Sequence, residues 1–236
     1  MWGFQYPEYV SVGEKKEKAK KQIEKLRKKN PNISPVIIEG NKVAKTWWGI
    51  AWDKNLEGYA DYSNRIGRGR SYVKNGFVLD LQIETCKVSA LVQGSSVYKI
   101  SIDFKPISKA KWEDIISKCS NKINGIEELV EGKFPKALGE VFTSKDNGLF
   151  PSPKEIKFNC SCPDVAYMCK HVAAVLYGIG ARFDEDPTLF FKLRDIDFEV
   201  LLKKSVEEKM NSMLLNANKK SKRIIDDEDV SDLFGI

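Results

Sequence analysis

FVLDLQIETCKVSALVQGSSVYKISIDFK, residues 77–105, is the stretch on which the fold turns. Phe77, Leu79, Leu81 and Ile83 alternate with Asp80, Gln82 and Glu84. Val88, Ala90 and Val92 alternate with Lys87, Ser89 and Gln93; Tyr98, Ile100, Ile102 and Phe104 alternate with Lys99, Ser101, Asp103 and Lys105. Successive side chains of a strand point to opposite faces, so this alternation marks strands with one face on a core and one in water. Three such runs with short gaps predict an antiparallel meander. Cys86 falls in the first tight turn and reads as a surface thiol.

Upstream, residues 14–29 (EKKEKAKKQIEKLRKK) put Ala19, Ile23 and Leu26 on one helical face, and Pro31 stops the pattern. Three apolar positions make a thin stripe, so a marginal or partner-dependent helix is expected, within a basic N-terminal arm over residues 1–32. A core begins near Pro35 with Val36, Ile37 and Ile38, and TWWGIAW (46–52) predicts a helix with Trp48 and Trp52 one turn apart. Downstream, Ser108 caps a predicted helix with Trp112, Ile115 and Ile116 on one face. Further helices are expected over residues 123–131 and from Pro135. The loop-like DNGLFPSP (146–153) marks a boundary, giving an α+β domain over 33–148 and a second module over 149–216. That module holds an apolar helix (172–183), a short helix after Pro187 and an amphipathic helix over 197–215. Residues 217–236 read as a flexible charged tail in which Leu233 and Phe234 form a docking motif.

Composition excludes several classes. With 42% hydrophobic and 31% charged residues the chain suits a soluble globular protein. It has no apolar run of about eighteen residues, so no membrane span is expected. MWGFQYPEYV lacks a basic region followed by an apolar one, so no signal peptide is expected and the cytoplasm is the expected compartment. Thiols stay reduced there, so five cysteines point to metal or burial rather than disulfides. The net charge of +6 is uneven: residues 1–76 hold sixteen Lys and Arg against eight acids, a net of +8. A polyanionic partner and a solvated basic surface both fit that surplus.

Residues 158–171 read FNCSCPDVAYMCKH. Three of the five cysteines and the one histidine of the chain fall within twelve residues, as Cys160-x-Cys162, six residues, Cys169-x-His171. Zinc favours four soft or borderline ligands in a tetrahedron, and three thiolates with one imidazole make a closed structural set. Buried cysteines with an unrelated histidine, or an iron–sulfur ligand set, are the competing readings; iron–sulfur spacings usually differ. Val172, Leu176, Ile179 and Phe183 form a helix face right after the ligands, so Cys169 and His171 stand where the helix dipole favours a thiolate. Lys157 and Lys170 are placed to offset the net negative charge of such a centre.

CSCPD…CKHVAAVLYGIGARFDEDP resembles a SWIM zinc finger, whose ligands run Cys-x-Cys, a variable gap, Cys-x-His; all four positions match. TWWGIAW, RIGRGRSYVKNG, VQGSSVYKI, GLFPSP and LFFKLRDID extend the resemblance, to stand-alone prokaryotic SWIM proteins, over roughly residues 33–202. The resemblance implies one bound zinc and contacts with nucleic acid or protein, often beside Swi/Snf-type helicase-like ATPases.

Arg65-Ile66-Gly67-Arg68-Gly69-Arg70-Ser71-Tyr72-Val73-Lys74 reads as a basic glycine loop. Arg65, Arg68, Arg70 and Lys74 could meet phosphates and Tyr72 could stack on a base. The alternative pairs these arginines with Asp53, Glu57 and Asp61. Trp47, Trp48 and Trp52 read as core anchors before a nucleotide platform. A four-ligand zinc leaves no position for an activated water, and no nucleophile elbow, phosphate loop or deaminase signature is present, so an enzyme is not expected. The expected fold is α+β: an antiparallel meander with helices, then a small zinc-centred module with C-terminal helices. The expected function is an adaptor binding DNA or RNA, a protein, or both; a purely protein-interacting module is the alternative.

Overall fold

The computed structural model describes residues 10–58, 63–120, 139, 143, 144 and 148–217. Three helices, α1 (Val12–Lys29), α2 (Trp47–Glu57) and α3 (Ser63–Lys74), precede strands β1 (Val78–Glu84), β2 (Lys87–Gln93) and β3 (Val97–Phe104). Helix α4 (Lys109–Ser120) follows, then β4 (Ile156–Cys160), α5 (Lys170–Glu185), α6 (Thr188–Leu193) and α7 (Phe198–Ala217). The helix expected over 123–131 and the tail with Leu233 and Phe234 lie outside the described residues; of the helix expected from Pro135 only residues 139, 143 and 144 are described, and Thr143 Oγ1 donates to the Gly139 carbonyl at 2.8 Å.

The meander forms as its alternation dictates. The sheet runs β1-β2-β3-β4 with every pair antiparallel. Leu79, Leu81, Val88, Ala90, Val92, Ile100, Ile102 and Phe104 are all buried. Cys86 takes a positive φ of 57° in the β1–β2 turn. The fourth strand comes from beyond the boundary expected at 148/149: Ile156–Cys160 pairs with β3 from Phe104↔Ile156 to Ile100↔Cys160. Fully buried Arg194 fastens that junction, donating to the Lys105 carbonyl at 2.7 Å and to Glu155 at 2.6 Å. On the other side, residues 34–36 run beside β1, with Leu81 N–H donating to the Ser34 carbonyl and Val36 N–H to the Val78 carbonyl. Residues on both sides of 148 thus share one sheet and one hydrophobic core.

Helix α5 is central. The sequence shows one apolar face, but twelve of its sixteen residues are buried, because α2, α3 and the sheet all pack on it. Trp48 and Trp52 are core anchors at 2% and 0% exposure, and Trp52 Nε1 donates to the Leu176 carbonyl of α5 at 2.8 Å. Asp184 holds the start of α2, accepting from the backbone of Lys45 and Thr46 and from the Thr46 hydroxyl.

Two sequence expectations change. Residues 63–74 form α3 rather than a loop. Gly69 is there for proximity: a Cβ on it would lie 2.4 Å from Ala173 Cβ on α5, so the two helices touch backbone to backbone. Helix α1, expected to be marginal, is docked and capped. Ser11 Oγ accepts from Glu14 N–H and Glu14 accepts from Ser11 N–H, a complete capping box. Ala19 is buried, and Ile23 and Leu26 pack on the core beside β1 and β2.

Candidate metal centre

Two elements bring four ligands together. Cys160 ends β4 and Cys162 follows in the turn; Cys169 is the N-cap of α5 and His171 sits in its first turn. The strand and the helix start are fixed by the sheet and the core, so the intervening turn has only to close. Several contacts close it. Ser161 N–H donates to the Lys99 carbonyl at 3.0 Å, Tyr167 OH donates to the Ile156 carbonyl at 2.8 Å, and the Tyr167 ring packs on Phe158 at 5.2 Å. Asp164 accepts from Ala166 N–H at 3.2 Å and pairs with Arg65 of α3. The tip leaves Val165 fully exposed.

The ligand atoms of Cys160, Cys162, Cys169 and His171 all lie within 4.8 Å of one another. Zn–S bonds of about 2.3 Å imply a tetrahedron with edges of about 3.7 Å, so the cluster has the dimensions of one closed site. Cys169 Sγ and His171 Nδ1 are 3.8 Å apart, which makes Nδ1 the nitrogen on the cysteine side. The electrostatics fit a cation. Contact with the Cys160 thiol holds Cys169 far below the ordinary thiol value, with help from His171. The same contact pushes Cys160 up, and burial pushes Cys162 up. Without metal, charge on Cys169 opposes ionisation of the other two thiols. A zinc ion would displace the remaining thiol protons and neutralise three mutually repelling sulfurs. Cys160, Cys162, Cys169 and His171 are thus placed to hold one zinc, which would supply a structural cross-link between β4 and α5.

The imidazole is enclosed. His171 is 4% exposed, with the Tyr98 ring at 4.6 Å and the Tyr72 ring at 5.5 Å. Its Nε2 is buried without a partner and faces Gly94, where a Cβ would lie 2.8 Å away. Any side chain at 94 would displace the ligand, so the tight β2–β3 turn at Gly94 is part of the site. Sequence reasoning missed Gly94, Tyr98 and Asp164. The ligand spacing pointed to none of them, since two come from the meander and Asp164 acts through α3.

Residues 147–178 match the model of the SWIM zinc finger family. The chain carries a SWIM zinc finger. The finger is a zinc-binding module rather than a catalytic domain. The chain is also 36% identical over 163 residues to the uncharacterized protein Rv2102 of Mycobacterium tuberculosis, covering 68% of this chain and 58% of that protein. This chain thus spans a little over half the length of that relative. No solved structure matches this chain. Among the described residues no helix is long and apolar enough to cross a membrane.

The residues expected to meet nucleic acid are scattered over α3 and its contacts. Arg65 pairs with Asp164 beside the finger, and Arg70 pairs with Glu57 and lies over the Tyr177 ring. Tyr72 packs on Phe77 and His171, with Lys170 Nζ 5.4 Å from its ring centre. Arg68 and Lys74 are exposed. Of the internal partners expected for these arginines, Glu57 takes Arg70. Asp53 instead lies against Gly180, and burial raises its carboxyl to about 8.

Proposed function

We propose that this protein is a zinc-stabilised adaptor that contacts nucleic acid through its basic N-terminal third and a protein partner through the finger. The observation that carries this reading is the closed donor set. Four ligands leave no coordination position for a substrate or an activated water, so the zinc holds a surface in shape. The fully exposed Val165 at the finger tip supports a protein contact there. A Swi/Snf-type helicase-like ATPase is the partner class the family resemblance implies, and the reducing cytoplasm suits thiolate ligands. The pairing of Arg65 and Arg70 with acids favours a second reading, a purely protein-interacting module.

Salt-titrated binding to DNA and RNA separates the two. A log–log slope that steepens with the number of phosphate contacts supports the adaptor; no binding to either at low salt leaves the protein module. His171→Cys keeps four ligands. If zinc and fold survive in that variant while a measurable catalytic activity disappears, the binding-module reading is wrong.

A further inference from the structure

The exposed charge of α1 is sorted by face. Its eighteen residues hold nine lysines and arginines against three glutamates. Successive residues turn by about 100°, and on that wheel Ala19, Ile23 and Leu26 point to the core. Lys18, Lys21, Lys25, Lys28 and Lys29 then fall together on one flank, and all five are exposed. Glu17 and Glu24 lie between that flank and the one bearing Lys16, Lys20 and Arg27, and Glu17 turns to Lys20, pairing with it at 3.3 Å. Glu14 shares the lysine flank only at its start, where the Ser11 cap engages it.

We propose that the flank Lys18–Lys21–Lys25–Lys28–Lys29 is the surface that tracks a nucleic-acid phosphate backbone. The proposal rests on the nucleic-acid reading above and moves its site away from Arg65 and Arg70, whose charges already have partners. From Lys18 to Lys28 successive lysines climb the helix by about 4.5–6 Å, Lys29 follows directly, and the whole run spans about 16 Å. The capping box and the buried Ala19 hold this ladder on the body of the protein, so little order has to be gained on binding. A membrane surface fits less well. Interfacial helices insert an apolar face into lipid, whereas the apolar stripe of α1 is already packed beside β1 and β2. The placement also suits an adaptor. Helix α1 sits on β1 and β2, while the zinc ligands end β4 at the far edge, so both surfaces can be engaged at once.

The test uses the full chain with zinc and a short random-sequence DNA duplex. Five phosphate contacts give a log–log salt slope near −4.5, a loss of about 500-fold between 50 and 200 mM salt. Changing Lys18, Lys21, Lys25, Lys28 and Lys29 together to Gln should flatten the slope by about four units. Gln has nearly the helix propensity of Lys and the docking residues are untouched, so circular dichroism should be unchanged. Changing Lys16, Lys20 and Arg27 to Gln should alter the slope by about one unit or less, because these residues lie on the other side of the glutamates from the ladder and Lys20 is already paired with Glu17. Parent binding with an unchanged slope in the five-fold variant overturns this inference and leaves nucleic-acid binding standing on another surface. An equal effect from the control flank also overturns it. Tighter binding to phosphatidylserine vesicles than to the duplex, lost in the five-fold variant, assigns the flank to membranes and overturns it. A parent that binds no duplex at low salt overturns the underlying reading as well.

Discussion

Gly67 and Gly69 lie two residues apart on α3, and replacing each with alanine should shift stability in opposite directions. In the interior of a helix, Gly→Ala gains about 1 kcal/mol, because glycine loses more backbone freedom on folding. A Cβ on exposed Gly67 would meet nothing within 4 Å, so Gly67→Ala should show that gain, a rise in Tm of about 2–4 °C. Gly69 faces α5. Its Cβ would lie 2.4 Å from Ala173 Cβ, 2.7 Å from Ala173 C and 2.8 Å from Ala174 N. Carbon contacts relax only near 3.5–4.0 Å, so the helices must part by about 1 Å. Such overpacking costs about 1–3 kcal/mol, more where the obstacle is backbone, and outweighs the propensity gain. Because propensity is common to both substitutions, their difference isolates the packing and should be about 1–3 kcal/mol. Urea titration at saturating zinc reads it as a difference in midpoint at constant m. Moving Ala173 also moves His171 half a turn away, so Gly69→Ala should release zinc to a chelator faster than Gly67→Ala. Equal stabilisation by the two substitutions would refute the α3–α5 contact and restore the loop that the sequence suggested.

Purified protein should contain one zinc per chain, and Cys162→Ser should lose it and destabilise the shared core around α5; visible absorbance from iron, or a folded metal-free protein, would count against the site. Acidification should release the zinc, because protons compete with it for the three thiolates, and a zinc-sensitive dye follows this directly. Glu155 is held below its ordinary carboxyl value by Arg194 and Ser152 against the opposing effect of burial. It therefore stabilises the fold above the unfolded-state value near 4.5, and that stability is lost as pH falls through the lower folded value. Glu155→Gln should cost about 3 kcal/mol at neutral pH, with the deficit shrinking in acid-denaturation curves. Asp53 has the opposite sign. Burial, with Glu57 and Asp184 nearby, raises it from 3.8 to about 8, so the fold loses stability as pH rises between those values. Asp53→Asn should raise the urea midpoint at pH 8, and change it little at pH 4, where the native carboxyl is already neutral.

The meander and the four zinc ligands were legible because both are written in local periods. Strand alternation has a period of two, and ligand pairs sit one residue apart, so neither needs tertiary information. What escaped depends on contacts between distant segments. Gly67 and Gly69 suggested a loop because glycine is a poor helix former, yet Gly69 lets α3 lie against Ala173, more than a hundred residues later. The lysine stretch promised only a marginal helix, since three apolar residues bury little. Its capping box and the floor provided by β1 and β2 stabilise it beyond what propensity gives.

The break near 148 shows the same limit. DNGLFPSP has the composition of a linker, but composition cannot reveal that the strand after it will pair with β3. That pairing has a consequence for the metal. With Cys160 at the end of a sheet strand and Cys169 at the cap of the central helix, zinc ties the sheet to α5 rather than closing a detached knuckle. Binding energy for the metal is then folding energy for the body of the protein. The exposed finger tip is likewise joined to the body, since Asp164 pairs with Arg65 on α3, the helix packed on α5.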